Sequence, residues 1–99
     1  MLFSDILELA SIRIEEDDLS QEIEVETLRR VFCDKQSIGQ SEFFNGGQTG
    51  IKPAYKFIIR LLDYQEETKL MYKNKTYSIY RTYEKGENIE LYCEVRAGG

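Results

Sequence analysis

The sequence predicts a small, mainly β domain, and three observations carry that prediction. Ile89, Leu91, Cys93 and Val95 alternate with Glu90, Tyr92, Glu94 and Arg96, a period of two that sets four apolar side chains on one face of a strand. Tyr77, Ile79 and Tyr83 repeat the pattern one strand earlier, interrupted once by Arg81. Twelve aromatics, seven of them Tyr, favour strands over helices. Two turns divide this last third into a three-stranded meander. Lys73-Asn74-Lys75 offers an Asn that tolerates positive φ, and residues 84–88 carry Gly86.

Upstream, residues 7–14 read as the first strand, with Ile12, Arg13 and Ile14 alternating. The acidic run Glu15-Glu16-Asp17-Asp18 reads as a solvated turn, since it lacks the spacing and central glycine of a calcium loop. Residues 21–35 form a long extended stretch. Ile23, Val25, Val31 and Cys33 share one face; Glu22, Glu24 and Glu26 take the other, where Leu28 and Phe32 replace them. A strand that changes character on its second face has left solvent and met another layer or another subunit.

Residues 34–53 break the alternation with four glycines and the only proline. A loop of that length inside a small domain is expected to have a job. Ser41 is placed to cap a short helix, with Glu42 in its favourable first turn. Gly46 and Gly47 weaken that helix by roughly 1 kcal/mol each relative to Ala, so it is expected to fray. Phe43 and Phe44 either tuck back as a lid on the core or meet a neighbouring subunit. Residues 54–64 form the strongest strand. Tyr55, Phe57, Ile59 and Leu61 lie on one face, and Ile58, Leu62 and Tyr64 on the other, which implies burial on both sides. The tail Ala97-Gly98-Gly99 reads as frayed.

The totals bound the chemistry. Ninety-nine residues make one domain with a modest core, to which a partner or oligomer adds stability. A net charge of −5 argues against gripping duplex DNA through its phosphates, although a negative lining suits a passage that DNA must slide through. Met1-Leu2-Phe3 is followed by Asp5 and Glu8 rather than by a basic segment, so no secretory signal is read, and no apolar run is long enough to span a membrane. Cys33 and Cys93 read as reduced core thiols. The absence of His removes the commonest general base and transition-metal ligand, and Gly46-Gly47-Gln48-Thr49-Gly50 lacks the Lys of a phosphate loop. The expectation is a protein that is not an enzyme, with no cofactor and no metal.

Between Val31 and Glu94 the chain resembles a family. The segments VFCDKQSIGQSEFF, GIKPAYKFIIR and YKNKTYSIYRTYEKGENIELYCE, in that order, are similar to the head-closure or head–tail connector (adaptor, stopper) proteins of long-tailed bacteriophages and prophages. The resemblance implies a small antiparallel β-barrel with a long loop or short helix inserted between the second and third strands. It implies a monomer that assembles into a ring, twelve-fold in the family, on portal and adaptor ring proteins, and that then receives the tail-completion protein. The protein would sit at the head–tail junction of the virion, after assembly in the host bacterial cytoplasm. The inserted loop lines or narrows the DNA channel in such rings. Carried over by position, Ser41, Glu42, Phe43, Phe44, Asn45, Gly46 and Gly47 are the contact residues for neighbours or channel, and Lys35 and Lys52, which flank the loop, are the residues placed to touch passing DNA. Gly46-Gly47 departs from the family pattern, which prefers helix formers there. A different class of function is a barrel that binds a peptide or single-stranded nucleic acid, with Tyr80 and Tyr92 as the stacking platform.

Overall fold

Alternation becomes strand along most of the chain. The computed structural model describes residues 3–48 and 50–95. It contains β1 (Asp5–Glu16), β2 (Glu22–Ser37), α1 (Gln40–Gln48), β3 (Pro53–Arg60), a 3-10 turn (Leu61–Asp63), β4 (Lys69–Tyr72), β5 (Lys75–Lys85) and β6 (Asn88–Val95). The six strands close into an antiparallel barrel in the order β1-β2-β3-β6-β5-β4, with α1 inserted between β2 and β3. Closure depends on a short join, in which Glu8, Leu9 and Ala10 pair with Met71, Leu70 and Lys69.

The inward faces meet in one core. Leu7, Leu9, Phe57, Ile59, Leu70 and Leu91 are each at most 1% exposed. Full burial of such a side chain is worth about 1.5–3 kcal/mol of transfer free energy. The Phe57 ring packs 5.1 Å from Tyr72 and 5.6 Å from Tyr77, so the wide end of the core is aromatic. Cys33 and Cys93 are free thiols, both fully buried.

The C-terminal meander forms with both expected turns. Lys73 and Asn74 take φ of 47° and 65° between the paired Tyr72 and Lys75, as a two-residue hairpin turn requires. Gly86 takes φ 63° between the paired Lys85 and Asn88. The interruption at Arg81 has a backbone cause. A register shift between Ile79 and Arg81 inserts Tyr80 as an extra residue, and a bulge of this kind re-aims the side chains beyond it. Arg81 therefore lies opposite Tyr92 on the outer face, and Tyr83, expected on the core face with Tyr77, lies opposite Glu90 outside, 55% exposed.

Other boundaries shift for stated reasons. β3 stops at Arg60 because the chain turns through Leu61–Asp63, where the Tyr64 N–H bonds back to the Leu61 carbonyl at 3.2 Å; Leu62, expected on a buried face, is 94% exposed. Phe57, Ile58 and Ile59 are buried on both faces of the strand as expected. β2 continues through Asp34, Lys35, Gln36 and Ser37, which pair with β3, so the insertion shrinks to residues 38–52. Those polar residues owe their strand to the neighbour's backbone and not to their own pattern. The tail 97–99 and Met1-Leu2 lie outside the described residues.

The hairpin of β1 and β2 outruns the barrel. β4 pairs with β1 no further than Ala10, and β3 meets β2 only from Asp34 onward, so in the strand ladder residues 11–16 and 22–27 pair with each other alone. Six residue pairs at about 3.4 Å per residue make an arm of roughly 20 Å, in a molecule measuring 51 × 31 × 23 Å. Asp17 ties the tip, its carboxylate accepting from the Leu19 and Gln21 N–H groups at 2.9 and 2.8 Å.

Candidate functional site

The helix α1 is built from both ends. The Phe43 N–H bonds to the Gly39 carbonyl at 3.0 Å, so the helix opens at Gln40 and Ser41 lies inside its first turn, not at the cap. At the other end the Ile51 N–H bonds back to the Gly46 carbonyl at 2.9 Å and the Gly50 N–H to the Gly47 carbonyl at 3.2 Å, with Gly50 at φ 84°. This is a Schellman closure, which satisfies the last carbonyls and stops fraying. The two glycines expected to weaken the helix lie inside it. Gly46 is buried, and a Cβ there would sit 2.6 Å from Cγ of Pro53; glycine is what lets α1 lie on the start of β3.

One turn before Gly46, Glu42 points to the same side and is gripped by the outer face of the barrel. Tyr80 donates its hydroxyl to Glu42 Oε2 at 2.7 Å, Arg81 Nε donates to the same oxygen at 3.1 Å, and the Arg81 Nη2 pairs with Oε1. The Arg81 guanidinium beside it, and then the Tyr80 hydroxyl, hold the Glu42 carboxyl below the usual carboxylate range; the same contact, with burial, raises Tyr80. Arg81 in turn stacks 3.7 Å over the Tyr92 ring, whose hydroxyl donates to Glu90 at 2.8 Å. The bulge at Tyr80 is what brings two consecutive side chains, Tyr80 and Arg81, to one carboxylate.

With Glu42 and Gly46 facing inward, Phe43 and Phe44 face out, 55% and 62% exposed, their rings edge-to-face at 6.3 Å. The lid alternative is thereby corrected: neither ring covers the core. Ser41, Asn45 and Gly47 are exposed beside them. Of the two flanking lysines, Lys35 caps the open end of the aromatic core, its ammonium 4.5 Å from the Tyr55 ring centre and 5.4 Å from that of Tyr72. Lys52 is exposed, and its backbone N–H bonds to Glu94 at 3.1 Å. Tyr80 and Tyr92 are half-buried and spanned by Arg81, so the ring face that a stacking base needs is already taken on Tyr92.

The arm is a second surface, which the sequence reading treated only as strand and solvated turn. Ile12, Ile14, Leu19 and Ile23 are exposed along it. Seven of the chain's eighteen acids and one of its thirteen bases fall within residues 11–27, a net −6, so the rest of the chain carries +1. That concentration is legible in the sequence; the exposure is not. At the arm's base Arg29 pairs with the nearly buried Glu67 at 2.8 Å. At the far end of the barrel two adjoining grooves of about 310 and 340 Å³ share Ile6 and Arg30; the first adds Phe32, the second Met71 and Lys73.

Burial pushes the Cys33 thiol up to about 12 and raises Cys93 as well, so both are protonated at neutral pH. Among the described residues no group of three or more Cys, Asp or Glu is arranged to hold a metal ion, and no helix is long and apolar enough to cross a membrane. Comparison with protein-family models and with curated proteins finds no match for this chain.

Proposed function

We propose that this chain is a structural subunit of a phage head–tail connector, closing the DNA-filled capsid and offering the tail its docking surface. The observation that carries the reading is the pair Phe43 and Phe44, held outward on a helix that is pinned from behind by Glu42 and Gly46. Exposed aromatics on a rigid element are what a protein partner can bury without ordering a loop. The helix lies in the same insertion, between β2 and β3, to which the sequence resemblance assigns channel and neighbour contacts. In this reading the partners are portal and adaptor ring proteins on one side, the tail-completion protein on the other, and further copies of the chain around a ring. Packaged DNA only passes. Lys35 and Lys52 are both exposed, and Lys52 is the better placed to meet it because the Lys35 ammonium already lies over the Tyr55 and Tyr72 rings.

The test is the double substitution Phe43→Ser with Phe44→Ser in the phage or prophage that encodes the chain. Both rings are exposed, so the barrel should unfold at an unchanged midpoint. Heads are expected to fill with DNA but to lose it, or to fail to join tails. Normal, infectious particles would discard this role for α1. Tight, salt-sensitive binding of single-stranded oligonucleotide by the isolated chain would instead favour a binding module.

A further inference from the structure

The arm and the groove end of the barrel are complementary and cannot meet within one molecule. The arm leaves the barrel where β1 and β2 run past Ala10 and Leu28; the grooves lie at the start of β1, beside the β4–β5 turn, at the opposite end. The arm offers Ile12, Ile14 and Leu19 among seven acids. The grooves offer Ile6, Phe32 and Met71 beside Arg30 and Lys73, with Lys75 exposed next to them. Glu8 is the acid within the lining, and it lies directly across the ladder from Arg30. Phe32 is 64% exposed although Ile6 lies directly across the ladder from it in the same groove, and Leu28, opposite Ala10, is 42% exposed.

We propose that the β1–β2 arm is the donor half of a head-to-tail contact with a second copy of this chain, its apolar and acidic side chains seating in the apolar and basic grooves at the far end of the next barrel. The contact deepens the connector reading and rests on it for closure into a ring. Donor and acceptor are different surfaces, so a bound pair still has one arm and one groove free. Such an interface propagates, and it closes as a ring when the rotation allows. Exposed Glu22 and Glu24 on the arm steer it to Arg30 and Lys73, which sets register and direction.

The test uses the buried state of Cys33 and Cys93, which leaves an introduced surface cysteine as the reactive thiol. Gln21→Cys at the arm tip and Ser4→Cys beside the groove both replace exposed polar residues. The two variants are mixed, one carrying a size tag, and treated with a short bismaleimide, first in concentrated solution and then on portal rings. The heterotypic product is expected to exceed either homotypic product several-fold. Arg30→Glu with Lys73→Glu in the acceptor should lower its yield roughly tenfold, a step of 1.4 kcal/mol, and Glu22→Lys with Glu24→Lys in the donor should restore it. Homotypic arm-to-arm product at equal yield, cross-linking of the arm to portal protein alone, or no heterotypic product in either setting overturns the proposal. The two readings fail separately. If the cross-link is absent while the chain still completes particles, the arm contact is wrong and the connector stands. If the cross-link forms in a chain that ignores portal rings and is dispensable for particles, the connector is wrong and the contact stands.

Discussion

Gly46 and Gly47 are neighbours with opposite requirements. A methyl group on Gly46 would overlap the Pro53 ring at 2.6 Å, and a proline at the head of a strand cannot step aside; a methyl on Gly47 meets nothing within 4 Å. Gly46→Ala should therefore cost about 1–3 kcal/mol, the range for overpacking a filled contact. Gly47→Ala should add about 0.5–1 kcal/mol, because it removes backbone freedom from the unfolded chain without straining the helix. Urea unfolding of the two variants measures both, and equal effects of the same sign would contradict this packing of α1. From the sequence the pair reads as two weak links of one kind. What separates them is a contact with a residue seven positions away, and helix propensity carries no information about that. Arg81 shows the same limit. As an interruption in an alternating strand it is visible from the sequence, but the bulge that resolves it is a property of how β5 registers against β6.

At the scale of elements, α1 is attached to the barrel by the packing of Gly46 on Pro53 and by one carboxylate. Glu42 is 18% exposed at its side chain and takes hydrogen bonds from Tyr80 and Arg81. Its folded pKa is lowered, so the attachment contributes above the unfolded value of about 4.3 and is lost as pH falls through the folded value. Asp5, lowered chiefly by the Tyr72 hydroxyl, follows the same sign and loosens the aromatic end of the barrel as pH falls. Amide NMR should show α1 resonances moving toward disordered positions in acid before those of the core strands. Glu42→Gln should display the same α1 shifts at neutral pH, with the core unchanged. An α1 indifferent to both would mean that the Gly46 packing holds the helix without the charge. The existence of this element, and the acid in its first turn, were legible from residues 41–44. Its length and its attachment were not, because the Schellman closure is a matter of backbone geometry after Gly46 and the Tyr80–Arg81 grip joins segments about forty residues apart.

For the molecule as a whole, the strand alternation that specifies the barrel also runs past it. Ile23 and Val25 continue the core-facing positions of β2 beyond the last residue that any third strand covers, while Ile12 and Ile14 keep β1 alternating on its other face, and sequence pattern has no means of marking where the barrel ends. The charge does mark it: nearly all the chain's negative excess begins where the third strand stops. Barrel and arm should then be separable. Replacing residues 13–25 by Asn-Gly joins Ile12 to Glu26, which are already directly opposed, through the two-residue turn that such a pair accepts. The excision removes six acids and Arg13, so the formal charge moves from −5 to 0. It keeps Glu26, whose carboxylate pairs with Lys69 at 2.6 Å. Since no core side chain contacts the excised tip, the shortened chain should unfold within about 0.5 kcal/mol of the parent, as for surface changes away from special features. Isoelectric focusing should place it near neutrality, and its solubility should fall at that pH. A loss of several kcal/mol would show that the hairpin stabilises the barrel. An unchanged stability leaves thirteen residues, rich in exposed apolar and acidic side chains, with no structural task inside their own chain, which is the expected condition of a surface kept for a partner.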